Sequence, residues 1–327
     1  MKLASFRIKS SGRSTIGVVL ADGGYLDLNA ASDGGLPQTM IAFLEQGEGA
    51  MSRARALAEN AAAGQPNVVA ADDVELLAPV PRPGKIMHTS CNFPAHLSEL
   101  TAWQAPEWQA HNWGDFHFEH PTGFLEAPSS VVPTGASVPI PHFTKQLDYE
   151  IEIGIVIGKR AFRVSPQDAL DHVAGLTIFN DLSARDIQAR EHANKVILLG
   201  KSFDGSCPLG PYLVTLDEIG DVNDLGMQLT LNGEPRQTSN SGHLHFKIAD
   251  MVSWWSNTTL EPGDVITSGG PGSVDASSAG GGSVRRSPMR PSARRRLASE
   301  SRSRSSDTRL ASIMQLRAWP GPARSCP

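Results

Sequence analysis

The run Asp148-Tyr149-Glu150-Ile151-Glu152-Ile153-Gly154-Ile155-Val156-Ile157 constrains this chain more than any other stretch. β-Branched residues dominate it and Gly158-Lys159 ends it, so it reads as a strand. Side chains on a strand alternate faces, which places Glu150 and Glu152 on one side, about 6–7 Å apart. Tyr149, Ile151 and Ile153 point to the other side. Two carboxylates side by side on an otherwise apolar strand repel each other unless a cation or a proton lies between them. Taken alone, the strand is either a solvent-facing charged edge or half of a cation site.

At 327 residues the chain is long enough for one large domain or two. No run of 18 or more apolar residues occurs, so no membrane span is expected. The start, Met1-Lys2-Leu3-Ala4-Ser5-Phe6-Arg7, carries no apolar core of a signal peptide. Cys91, Cys207 and Cys326 are odd in number and widely spaced, which argues against a disulfide framework or a structural zinc site. A reducing cytoplasm is the expected location.

Residues 1–75 read as a small accessory module of strands and helices with nothing catalytic in type. Lys2–Ile8 and Thr15–Leu20 are strand-like, Tyr25–Leu28 begins a third strand, and Met51–Ala63 is helix-like. The proline-rich connector ending at Gly84 marks a boundary, with a larger domain spanning residues 76–283. Asn92 is a candidate N-cap and Pro94 suits the first turn of a helix carrying His96 and Glu99. These two are i and i+3, neighbours on one helical face. They are either a surface histidine with a chance acid or a base oriented by a carboxylate. Thr101–Gly123 holds Trp103, Trp108, Trp113, Phe116 and three histidines without clean periodicity, and reads as a lid over a pocket.

Ser165–Val173 reads as a capped helix, and Ala174–Asp181 as an apolar strand ending on an acid. Arg185 and Gln188 follow at i, i+3 on a short helix. Lys201 lies in the loop Gly200–Asp204, and Asn232-Gly233 is a hairpin turn.

Four segments in order resemble the fumarylacetoacetate hydrolase family. They are Asp148–Glu152, Asn180–Gln188, Gly200–Asp204 with Cys207–Pro211, and Leu260–Ile266. The resemblance runs from about Glu75 to Gly272. It implies an α+β, mainly β protein: a mixed β-roll catalytic domain with a small N-terminal α/β accessory domain, usually a homodimer. It also implies Mg²⁺, or Mn²⁺ or Ca²⁺, on Glu150, Glu152 and Asp181. His96 and Glu99 resemble the dyad that deprotonates water in hydrolytic members. Arg185 and Gln188 resemble the substrate-contacting pair, Lys201 the cation beside the developing oxyanion, and Ser268 the hydroxyl that binds a substrate carboxylate. The implied reaction is C–C hydrolysis of a 2,4-dioxo acid through an enolate, in catabolism of aromatic or sugar acids. A decarboxylase, isomerase or dehydratase of a 2-oxo acid is the alternative.

Three departures stand out. Glu126-Ala127-Pro128 replaces a family Lys before Pro-Ser-Ser and is expected to change the charge of the pocket mouth. Ser268-Gly269-Gly270-Pro271 replaces a Thr-Gly-Thr-Pro loop. Finally, residues 284–327 carry eleven arginines, no lysine and two acids, whereas the preceding 283 residues hold 18 basic and 32 acidic groups. This tail lacks apolar alternation and reads as disordered, out-of-frame sequence. Its Ser299–Ser306 stretch looks like an RNA-binding arginine-serine segment, but the acidic body disfavours nucleic acid.

Overall fold

The computed structural model describes residues 1–103, 106–110, 112–272 and 312–318. Strands β1 (Lys2–Ile8), β2 (Ser14–Val19) and β3 (Tyr25–Asp27) form an antiparallel meander. Asp27 ends it and caps α1 (Leu28–Ala31), its carboxylate accepting from the amides of Asn29 and Ala30 at 3.1 Å. Helices α2 (Met40–Glu45) and α3 (Glu48–Glu59) follow, then β4 (Val68–Val69) and β5 (Val74–Leu76). Helix α3 begins and ends earlier than its sequence suggests, because Gly47 adopts φ 66° and starts it there.

The N-terminal segment has a small cluster of its own, Ala4, Phe6, Tyr25 and Val74, but its main core is shared with the rest of the chain. Its β1 pairs with β14 (Leu213–Val214), Leu3 opposite Leu213. Leu3, Ile16, Leu26 and Phe43 pack in one buried cluster with Val156, Phe179, Leu209 and Val265. The main core therefore crosses the boundary expected near Glu75–Gly84. Sheet and core run straight through it.

The larger part contains β6 (Ile86–His88), α4 (Pro94–Ala102), α5 (Pro106–Gln109), β7 (Leu125–Glu126), β8 (Val131–Pro133) and β9 (Leu147–Asp148). Next come β10 (Ile151–Ile157), β11 (Val173–Asn180), β12 (Ser183–Ala184), α6 (Arg185–Ala193), β13 (Cys207–Leu209) and α7 (Leu216–Ile219). The hairpin of β15 (Leu225–Leu231) and β16 (Glu234–Asn240) turns at Asn232-Gly233, both with positive φ, as its sequence predicts. Helix α8 (Ile248–Trp255), β17 (Val265–Thr267) and β18 (Ser312–Ala318) complete the described elements.

The main sheet runs β4-β3-β2-β1-β14-β11-β10-β17-β6-β7. It is mixed: β17 lies parallel to β6, and β13 parallel to β8. Strand β10 is central, antiparallel to both β11 and β17, and buried at every residue. Ile151, Ile153, Ile155 and Ile157 pack on one face against Leu229, Met251 and Val252, while Val156 faces the other core. Burying each such isoleucine is worth about 1.5–3 kcal/mol.

Several sequence expectations need correction. The strand does not run unbroken from Asp148. Residues Leu147–Asp148 pair with β12 in a separate ladder, and the Glu150 amide donates to the Asn180 side chain at 3.1 Å. Glu150 thus stands where two ladders part. Ser165–Val173 is not a capped helix but a turn ending in the 3₁₀ segment Ala169–His172, with Ser165 spent on the Asp168 carboxylate at 2.7 Å. Asn92 is not the N-cap of α4, which is Phe93. The Asn92 amide instead reaches the backbone of Phe246 and Ser268. In the tail, Ser312–Ala318 form β18 and pair antiparallel with β15, which contradicts the expected lack of any strand there. The remaining tail, with Ser299–Ser306, lies outside the described residues. No helix among the described residues is long and apolar enough to cross a membrane.

Candidate active site

The antiparallel register of β10 and β11 puts Ile151 opposite Asn180, so Asp181 arrives beside Glu150. The Asp181 amide donates to the Glu150 carbonyl at 2.9 Å. One carboxylate oxygen from each of Glu150, Glu152 and Asp181 lies within 4.8 Å of the others. All three side chains are buried. The pair that alternation placed on one strand face is therefore a cluster and not an exposed edge.

Two cations share this cluster. Lys201 Nζ donates to Glu150 Oε2 at 2.7 Å and to Asp181 Oδ2 at 2.5 Å. Arg185 donates to Glu150 Oε1 at 2.5 Å, to Asp148 at 2.9 Å and to Gln188 Oε1 at 2.9 Å. Glu152 accepts from the Gly269 amide at 3.0 Å. Gly269 has φ +81°, and a Cβ there would sit 2.6 Å from the Thr89 carbonyl, so only glycine delivers that amide.

The electrostatics split the three acids. Burial opposes ionisation of Glu150, but Arg185 and Lys201 outweigh it and hold its carboxyl well below the usual range. Burial and the neighbouring Asp181 charge push Glu152 up to about 8. Burial also raises Asp181, against Lys201 and His88. Asp181 Oδ1 is buried without a hydrogen-bond partner. A buried acid with an unmet oxygen, beside another acid forced toward neutrality, lacks positive charge. The donor set is all hard oxygen, so a hard divalent cation fits these residues. Cys91 lines the same cavity, but burial pushes its thiol up to about 12, so it offers no thiolate.

Helix α4 brings in the fourth acid–base element. His96 Nδ1 is 3.1 Å from Glu99 Oε2, and its Nε2 is 3.3 Å from Glu150 Oε1. Glu99, an acceptor when ionised, fixes the ring with Nδ1 protonated and Nε2 turned to the cluster. Burial disfavours the imidazolium, but Glu150 and Glu99 outweigh it and raise the pKa above 6.5. His96, the three acids, Arg185, Gln188 and Lys201 line a cavity of about 540 Å³, with Glu99 behind the His96 ring. Trp108, Trp113 and Phe116 from the aromatic segment line this cavity. Trp103 and Trp108 meet edge to face at 4.7 Å, and Trp108 stacks on Trp113 at 6.0 Å.

The structure therefore brings together Glu150, Glu152, Asp181, Lys201, Arg185, Gln188, His96 and Glu99. It does not bring Ser268 to the cavity. The Ser268 hydroxyl accepts from the Ile153 amide and donates to the Gly269 carbonyl, both at 3.0 Å, so it staples β10 and offers no group to a substrate. Glu126 is not at the pocket mouth either. It is buried below the cluster and accepts from Ser130 at 2.8 Å, Ser206 at 2.6 Å and His88 Nε2 at 2.8 Å.

His88 is the residue sequence reasoning missed. Its Nδ1 lies 3.1 Å from Thr267 Oγ1 and 3.5 Å from Asp181 Oδ2, with its ring stacked on Phe124 at 4.3 Å. Burial opposes its protonation, but Asp181 and Glu126 outweigh it. The only signal was the acid in Glu126-Ala127-Pro128, since the strand pairing that brings His88 and Glu126 together leaves no local spacing.

A sheet-dominated mixed fold with an acid triad, a lysine and a His–Glu dyad gathered at one cavity has the parts of an enzyme site, a place for a cation beside acid–base groups. The chain belongs to the fumarylacetoacetate hydrolase family, whose C-terminal domain model matches residues 85–301. It is 38% identical over 276 residues to a mitochondrial oxaloacetate tautomerase of Homo sapiens, covering 84% of this chain and 82% of that one. It is 34% identical over 277 residues to the oxaloacetate tautomerase YisK of Bacillus subtilis, covering 80% and 86%. Among solved structures, it resembles maleylpyruvate hydrolase from Sphingobium in complex with manganese(II) ion and pyruvate. That match has TM-score 0.65 and 26% identity, covering 83% of this chain and 89% of that one.

Proposed function

We propose that this protein is a divalent-cation-dependent tautomerase that interconverts the enol and ketone forms of a 2-oxo dicarboxylate of the oxaloacetate type. The observation that carries the reading is the approach of His96 and Lys201 to one carboxylate. His96 Nε2 is 3.3 Å from Glu150 Oε1, and Lys201 Nζ is 2.7 Å from Glu150 Oε2. A proton carrier and a fixed ammonium thus flank the cation-binding acids.

When bound by Glu150, Glu152 and Asp181, Mg²⁺ or Mn²⁺ supplies Lewis-acid polarisation of the 2-oxo group. The chain's own residues do the rest. In the ketone-to-enol direction a base takes a proton from C3, the C–H pair becomes the C2–C3 π bond, and the 2-oxygen gains a proton. His96 is the residue placed to carry the C3 proton at Nε2, with Glu99 fixing its orientation. Lys201 holds positive charge beside the oxygen on which negative charge develops. Arg185 and Gln188, bonded to each other, line the cavity beside Glu150 and add positive charge and an amide where a substrate carboxylate would lie. Trp108 and Trp113 give the cavity an apolar wall that would limit the water reaching a bound substrate, which suits proton transfer without hydrolysis.

The tautomerase relatives support this reading over C–C hydrolysis. The likeness to maleylpyruvate hydrolase supports the second reading, in which His96 activates water against an acylpyruvate. Proton NMR in deuterium oxide separates the two. A tautomerase exchanges the C3 protons of oxaloacetate for deuterium and leaves acylpyruvates whole. Release of pyruvate from an acylpyruvate, without catalysed exchange, would reject the tautomerase reading.

A further inference from the structure

Apart from Pro235, strand β16 is made of polar residues, and Gln237 is its one buried side chain. It stands directly opposite Leu229 of β15, so the two side chains share a face. Leu229 packs there in the apolar cluster that holds Ile151 and Ile153 of β10. A side-chain amide in such a place costs stability unless both of its ends find partners. Those of Gln237 do.

Both partners are backbone groups beside the acid triad. The ladder between β10 and β17 ends at Gly154 opposite Thr267. Beyond that point two amides of β10 are met by side chains, Ile153 by the Ser268 hydroxyl at 3.0 Å and Ile151 by Gln237 Oε1 at 2.8 Å. Ile151 is the residue between Glu150 and Glu152. At its other end, Gln237 Nε2 donates to the Pro271 carbonyl at 2.7 Å. The two residues before Pro271 lie against both acids. The Gly269 amide donates to Glu152 Oε2 at 3.0 Å, and a Cβ on Gly270 would come within 3.0 Å of Glu150 Cβ.

One amide therefore ties the segment that carries two of the acids to the loop that packs on them. We infer that Gln237 is a positioning residue of the cation site, fixing the separation of Glu150–Glu152 from the loop at Gly269–Pro271, an inference that rests on the cation reading above. Without it the Ile151 amide and the Pro271 carbonyl each lose a buried partner. The loop is then free to draw the Gly269 amide away from Glu152, and the Glu152 carboxylate loses the bond that orients it. Gln237 does not line the cavity, so it acts only through those acids. Partners of this kind behind metal ligands are worth roughly 10–100-fold in metal affinity.

The test is Mn²⁺ binding to metal-depleted protein, followed by titration calorimetry for the wild type, Gln237→Met and Gln237→Asn. Methionine keeps the bulk and neither hydrogen bond. Asparagine keeps the amide but is one methylene too short to span both partners. Gln237→Met should raise the Mn²⁺ Kd roughly 10–100-fold, and Gln237→Asn should raise it less. Activity lost at limiting Mn²⁺ should return at saturating Mn²⁺, a higher Mn²⁺ requirement without a fall in kcat. Ser256→Ala is the control for a purely structural loss. Its buried hydroxyl accepts from the Val164 amide at 2.9 Å and donates to the Ser253 carbonyl at 2.7 Å, neither of them in the site. It should lower the melting temperature comparably and leave the Kd within about twofold. An unchanged Kd in folded Gln237→Met overturns the inference, and if that variant does not fold, an unchanged Kd in Gln237→Asn does so. An equal rise in Ser256→Ala also overturns it, because any loosening of the fold would then weaken the cation. Failure of the wild type to bind Mn²⁺ would instead reject the cation reading, and the Gln237 assignment would fall with it.

Discussion

His96 Nε2 lies 3.3 Å from Glu150 Oε1, although the two residues belong to elements 54 positions apart in the chain. The contact joins the acid–base dyad of α4 to the acid triad at the start of β10 and the end of β11. Replacing His96 with Ala should lower kcat for tautomerisation by about 10²–10⁴, the usual worth of a positioned proton carrier. Glu99→Gln should lower it less, because Nε2 remains in place and only its orientation is loosened. Steady-state kinetics check both. A His96→Ala enzyme with wild-type kcat would remove His96 from the reaction.

Asp181→Asn should abolish tight Mn²⁺ binding measured by titration calorimetry, a readout independent of turnover. The substitution removes a charge from the three-acid set and leaves Lys201 with Glu150 alone. Mn²⁺ heats equal to wild type would exclude Asp181 as a ligand.

The Glu152 carboxyl, pushed up to about 8, predicts the pH behaviour of the metal-free protein. Between its ordinary value of 4.5 and about 8, the folded protein holds a proton that the unfolded chain releases. Stability therefore falls as pH rises through this window and levels off above it. The raised pKa values of His88 and His96 act in the same direction. Urea unfolding of EDTA-treated protein from pH 5.5 to 8.5 should show the decline, and Glu152→Gln should flatten it. Added Mn²⁺ should stabilise more at the alkaline end, where it no longer displaces a proton.

Ser268→Ala should cost about 1–3 kcal/mol of stability, because the buried Ile153 amide loses its acceptor. KM for the oxo acid should not change. A large rise in KM with unchanged stability would restore Ser268 to the substrate.

Much of the site is legible in the sequence because its members sit on short periodic patterns. Period-two alternation puts Glu150 and Glu152 on one face, and helical spacing puts His96 beside Glu99. Asp181 and Lys201 have no such spacing to each other and are recognised only through the resemblance. His88 and Glu126 are hidden for a different reason. They meet because Ile86 pairs with Glu126 across β6 and β7, and sequence does not display which strands pair. Ser268 has a substrate-binding residue type in a resembling loop, but the Ile153 amide claims its hydroxyl. The N-terminal segment looks separable because the connector is proline-rich, whereas Leu3 and Phe43 share a core with Val156 and Phe179.

The central claim is that Glu150, Glu152 and Asp181, at the start of β10 and the end of β11, hold a divalent cation for tautomerisation of an oxo diacid. Its most direct test is the loss of enol absorbance of freshly dissolved oxaloacetate, followed with metal-depleted protein, after adding Mn²⁺ and after adding excess EDTA. The account predicts acceleration above the Mn²⁺-only control that EDTA abolishes and fresh Mn²⁺ restores. Acceleration that persists unchanged in EDTA, or none above the control with Mn²⁺ bound, would contradict it.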